Sequence, residues 1–319
     1  MPALLALPFV FLFGPNFPQQ IIAHLLGAGI VILTILTSLK IRKDNKLAVW
    51  SGILIGFGSI VWYLSSVGSV WYLGQISSAF FLTAAIYEVI TKKRTFLVGL
   101  FIGAAYLSRI HVIISLPFFI YALKINFKIE SQNIKKFITL GFGLFPFLAF
   151  DAIYNFIRFG VPWDKGYFLV PGLLTEPWMS KGIVNIAYIP NHLQLLFLQL
   201  PKFLKVFPYI EPSWYGLAIW ITTPAFVFSL KASLKEKLNI LAWLAIFSIF
   251  AVVSIRGGTG WTQFGYRYAV DFYPFLVFLT IKGISKSKLK WYHWLLLVLS
   301  VIVNLWGVIM INKLGFVSF

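Results

Sequence analysis

The sequence predicts an all-α fold: a polytopic transmembrane helical bundle of about ten spans with interfacial helices on its outer side. Three observations predict it. Of 319 residues, 60% are hydrophobic and 11% charged, whereas a soluble domain carries roughly 25% charged residues. Apolar stretches close to the roughly 20 residues that cross a hydrocarbon core recur along the chain. The basic residues, finally, cluster in every second connection. Disorder, a disulfide-stapled secreted domain and a soluble nucleic-acid binder are excluded. The absence of cysteine removes disulfides, thiolate metal sites and a cysteine nucleophile together.

Taken in order, residues 1–13 (MPALLALPFVFLF) are too short to span and carry Pro2 and Pro8, which predicts a re-entrant or interfacial segment. Hydropathy then places spans within 20–39, 47–65, 70–90, 96–108, 111–123, 137–157, 214–230, 238–255, 268–281 and 291–312. Alternate connections hold Lys40, Arg42, Lys43 and Lys46; Lys92, Lys93 and Arg94; Lys124, Lys128, Lys135 and Lys136; Lys231, Lys235 and Lys237; and Lys282, Lys286, Lys288 and Lys290. Together these are 18 of the 27 basic residues. The positive-inside rule turns these connections to the cytoplasm, so the net charge of +18 reports topology and calls for no nucleic-acid partner. The other connections, including a long outer loop over 158–213, face outward. Within that loop, Gln194, Gln199, Lys202 and Lys205 fall on one side of a helical wheel over 191–207, the pattern of a helix lying in the interface. No linker or repeat divides residues 1–319, which form a single transmembrane domain. The alternation puts residue 1 outside with nothing upstream to carry it there, so the chain reads as an N-terminally truncated fragment.

The polar residues gather on the outer side. Arg256–Asp271 (RGGTGWTQFGYRYAVD) combines four glycines, whose backbone turns tightly and offers amide donors, with Arg256 and Arg267, guanidinium forks suited to phosphate. Arg267 and Asp271 are four apart, so a helix would pair them; Tyr266 and Asp271 are expected to line a cavity. A second cluster, Asp151, Tyr154, Asn155 and Arg158, forms a polar edge at helical spacing on the approach to the outer surface, where it is expected to line a cavity. Arg109 and His111 lie at the tip of a short hairpin, and an ionisable group at membrane depth is costly unless partnered. The four histidines lack metal-ligand spacing, and HExxH, DxD and GxSxG are absent. No cofactor is predicted, and the need for a divalent metal stays open.

Four stretches carry a family likeness: PALLALPFVFLFG, VGLFIGAAYLSRIHVIISLP, YNFIRFGVPWDKGY and GWTQFGYRYAVDFYP. Together they resemble the GT-C superfamily of polytopic glycosyltransferases, especially bacterial relatives of the protein-mannosyltransferase and aminoarabinose-transferase group. The resemblance implies a membrane-lipid partner, a polyisoprenyl-phosphate sugar donor, used at the extracytoplasmic face of the cell membrane. Family members carry their catalytic acid in a first outer loop with no counterpart here, so no catalytic residue is assigned. Arg109, Arg267 and Arg256 are the positions matched to the donor phosphate. The sugar and the acceptor are left open. Two other readings compete: a transporter or flippase for a lipid-linked or small polar substrate, and an inactive membrane fragment.

Overall fold

The computed structural model describes residues 1–125 and 130–315. Lys128, one of the basic residues of the third cluster, lies outside the described residues. The chain is mostly helical. In order it forms α1 (Pro2–Phe13), α2 (Gln20–Ile41), α3 (Asn45–Gly56), α4 (Val61–Val67), α5 (Val70–Ile90), α6 (Thr95–Ser108), α7 (Leu116–Ala122) and α8 (Ser131–Phe159). After a loop of short 3-10 turns come α9 (Ile189–Phe197), a two-residue ribbon of β1 (Lys202–Phe203) and β2 (Ile210–Glu211), α10 (Ile219–Thr222), α11 (Lys237–Ser254), α12 (Tyr273–Ile284) and α13 (Trp291–Gly307). Lys202 pairs with Glu211, and Phe203 with Ile210, in antiparallel register.

Among the described residues, five helices are long and apolar enough to cross a membrane: α2, α5, α8, α11 and α13 with its π-helical extension. The pair α3 and α4, bent by 52°, makes a sixth when counted as one broken span. Of the remaining expected spans, 96–108 is the 14-residue α6 and 111–123 is a 3-10 segment leading into α7. The span expected over 214–230 is not a continuous helix. Pro224 disfavours helical geometry at the residue before it, and Thr223 accordingly adopts φ −145°, ψ 69° between the single turn of α10 and a 3-10 segment. Over 268–281, a 3-10 turn at Arg267–Asp271 precedes α12, which Pro274 helps to start.

Helix α5 is the centre of the bundle. Its most apolar 18-residue stretch is 83% buried, against 17% for α8 at the periphery, and it packs on α2 and α6. The contact of α6 with α8 is made by glycine. A Cβ at Gly99 would stand 2.2 Å from the Leu140 carbonyl oxygen, and one at Gly143 the same distance from that of Phe96. Small residues let backbones approach closely where lipid supplies no hydrophobic drive for helix association.

Three of the five basic connections meet. Arg42 Nη1 donates to the carbonyls of Ser285 (2.9 Å) and Ser287 (2.6 Å), joining the first and last clusters. Glu236 pairs with Lys282 (2.6 Å) and Lys286 (3.2 Å), joining the fourth and last. The Asp44 carboxylate caps α3 by accepting from Lys46 N and Leu47 N.

Candidate functional site

The connections expected on the opposite side meet around a cavity of about 690 Å³. Tyr63, Ser69 and Tyr72 come from the start of the bundle, Tyr167 and Trp178 from the long loop, and Arg256, Trp261, Arg267 and Tyr268 from the glycine-rich segment. Two of the three arginines matched to the donor phosphate therefore face one space.

Arg267 is 9% exposed. Its guanidinium lies over the rings of Tyr268 (5.1 Å) and Tyr72 (5.4 Å), its buried Nε has no hydrogen-bond partner, and among the described residues no carboxylate pairs with it. Its backbone is clamped on both sides. Gln75 Nε2, from α5, donates to the Arg267 carbonyl (3.1 Å), and Gln263 Oε1 accepts from the Arg267 amide (3.3 Å). Gly260 sits at φ +85°, a conformation glycine adopts freely. A Cβ there would meet Arg267 Nε at 2.8 Å, so this glycine makes room for the guanidinium. Tyr63 and Tyr72 both donate to the Thr262 carbonyl (2.9 and 2.7 Å), tying the segment to α4 and α5. Arg256 covers the Tyr167 ring at 4.2 Å.

A second cavity, about 780 Å³, adjoins the first. Trp178, Arg256, Gly258 and Trp261 line both, and the two indoles meet at 4.5 Å with planes 76° apart, forming the partition. His192, on α9, anchors this region from beneath. Its Nε2 donates to the Arg256 carbonyl (2.9 Å), which leaves Nδ1 to accept from the Tyr266 hydroxyl (2.6 Å). One ring thus fastens both ends of the loop that carries the two arginines. Burial pushes the His192 pKa below the ordinary imidazole value, opposed by its bond to the Arg256 carbonyl.

The buried carboxylate is arranged differently from expectation. Asp271 does not pair with Arg267. Residues Arg267–Asp271 form a 3-10 turn, in which i and i+3 eclipse and i+4 points elsewhere. Instead Asp271 Oδ2 accepts from Arg109 Nε (3.1 Å), Arg109 Nη2 (3.0 Å) and His111 Nε2 (2.8 Å). Asp271 is fully buried, and its Oδ1 has no partner among the described residues. Neither Arg109 nor Asp271 lines either cavity. Arg109 still reaches the site through Tyr268, whose ring it meets at 5.4 Å.

The polar edge of α8 lines neither of these two cavities. Asp151 accepts from Tyr106 Oη (2.7 Å) and from Asn155 Nδ2 (3.1 Å), while Arg158 lies on Tyr154 and Phe159. Helix α8 stands at the periphery, packed on α6, and this edge stays away from the chambers. Tyr266 is buried beside the second chamber without lining it. The helix expected over 191–207 ends at Phe197, because Pro201 restricts Leu200 to extended geometry. Gln194, Gln199 and Lys202 nonetheless reach the second cavity, from a helix, a loop and a strand.

Reading the sequence did not single out Gln75, Gln263, Tyr72, Tyr268 or His192. For Gln75 the signal was available, an amide in the middle of an apolar span. For His192 it was not, because both its partners lie more than 60 residues away. Among the described residues, no three His, Cys, Asp or Glu side chains come together as metal ligands. Comparison with known protein families, curated proteins and solved structures found no match to this chain.

Proposed function

We propose that the chain binds a polyisoprenyl-phosphate sugar in the first cavity and belongs to a membrane glycosyl-transfer system of the GT-C kind. The observation that carries this reading is Arg267: a buried guanidinium beside a cavity, with an unsatisfied Nε and no carboxylate partner among the described residues. A buried charge of this kind calls for a counter-charge, and a phosphate offers oxygens that a guanidinium fork binds well. Arg256, half-buried and lining the same space, offers a second guanidinium. Arg109, which the sequence also matched to the phosphate, is neutralised by Asp271 and acts on the site through Tyr268.

In this reading an acceptor hydroxyl attacks the anomeric carbon, the bond to the phosphate oxygen breaks, and its electron pair passes to a lipid phosphate whose charge the two arginines stabilise. The acceptor proton needs a base. No Asp or Glu lines either cavity among the described residues, so the reading gives this chain the holding of donor and leaving group. The base belongs to a carboxylate brought from elsewhere. The lysine-rich end takes the cytoplasmic side by the positive-inside rule, which puts the cavities on the extracytoplasmic side. Ten crossings result if the shorter elements complete the spans.

The test compares polyprenyl phosphate with polyprenol of equal chain length, binding to the full chain in nanodiscs. The phosphate is expected to bind more tightly by about 10- to 100-fold, the range of a charge-assisted hydrogen-bond set, and Arg267→Gln to remove that advantage. Equal binding of the two lipids would overturn the reading.

A further inference from the structure

The second cavity lies beyond the Trp178–Trp261 partition, and the donor reading leaves it unassigned. We propose that it is a carbohydrate-binding site for an oligosaccharide that carries negative charge. Its volume of about 780 Å³ falls within the range of small-molecule sites, about 300–1,000 Å³. Its wall has the amphipathic character of a sugar. Indoles offer flat apolar faces, while Asn191 and Gln194, one turn apart on α9, present amides with no hydrogen bond among the described residues. Each amide carries two donors and a two-lone-pair acceptor, which suits the alternating hydroxyls of a pyranose rim.

The partition indoles stand 76° apart. They make a corner, whereas a flat heteroaromatic base needs a parallel slot; a puckered ring with an apolar face and a polar rim fits the corner. The charge is one-sided. Lys181, Lys202 and Arg256 line the cavity, and no Asp or Glu does so among the described residues. An acidic sugar supplies the missing sign.

This site does not depend on the phosphate reading, and the experiment keeps the two apart. The full chain in nanodiscs is titrated with a tri-uronate oligosaccharide, with maltotriose, with AMP and with an acidic tripeptide, following tryptophan fluorescence and confirming by equilibrium dialysis. The tri-uronate is expected to bind saturably and about tenfold more tightly than maltotriose, with Lys181→Gln erasing that preference. The double variant Asn191→Ala/Gln194→Ala, at two exposed positions that leave the fold intact, is expected to weaken tri-uronate binding by about tenfold or more. Arg267→Gln should leave tri-uronate binding within about twofold of the parent while removing the lipid-phosphate preference. Absence of saturable saccharide binding, tighter binding of AMP or the tripeptide, or indifference to the Asn191/Gln194 change would each overturn the proposal.

Discussion

Asp271 takes three hydrogen bonds on one oxygen, from two residues that lie about 160 positions away in sequence. Removing its charge leaves Arg109 uncompensated against the bundle. Asp271→Asn is therefore expected to destabilise the protein by about 3–5 kcal/mol, the usual loss when one partner of a buried pair is deleted. Thermal unfolding in detergent measures it, and an Asp271→Leu/Arg109→Leu double variant should recover part of the loss, because no buried charge is then left alone. A second prediction concerns His192. Its pKa is lowered in the folded chain, so its contribution to stability is full above the ordinary value of 6.5. That contribution is lost as the pH falls below this value toward the folded pKa, where the native ring must take up a proton. The proton would turn Nδ1 from acceptor to donor against Tyr266 and place a cation beside Arg256. Protection against hydrogen exchange in the 256–267 loop, corrected for the intrinsic pH dependence of exchange, should fall on mild acidification, and His192→Phe should abolish that fall.

At the scale of elements, the α6–α8 crossing depends on two glycines with backbone oxygens 2.2 Å from where a Cβ would stand. Gly99→Val forces the helices apart and is expected to cost about 1–3 kcal/mol, the range of overpacking, read as a fall in melting temperature; Gly141→Val, at a site with open space beside it, serves as the control. The long apolar helices were legible in the sequence because hydropathy over about 20 residues is a local property. Pro201 and Pro224, visible in the sequence, mark where the expected helix over 191–207 and span over 214–230 break. Of the site, Arg256 and Arg267 were legible because arginines flanked by glycines stand out in an apolar chain. The partner of Asp271 was not, since spacing within one segment carries no information about a residue on another helix. The same limit hid the absence of the Asp151 edge of α8 from both cavities.

For the whole molecule, three of the lysine-rich connections meet through Arg42 and Glu236, and the two cavities open among connections expected on the opposite side. A chain without cysteine allows this to be tested with single introduced thiols. Ser287→Cys, among the lysines, and Ser180→Cys, beside the second cavity, are both exposed. A membrane-impermeant maleimide applied to right-side-out vesicles should label Ser180→Cys and leave Ser287→Cys unlabelled until the membrane is opened. Labelling of both from one side would remove the sided arrangement on which the donor reading rests. Within that arrangement, Tyr268 holds a singular place, with Arg109 on one approach and Arg267 on the other. One of these cations is already compensated and the other is not. An anion arriving in the first cavity would therefore even out a lopsided electric field across a single phenol.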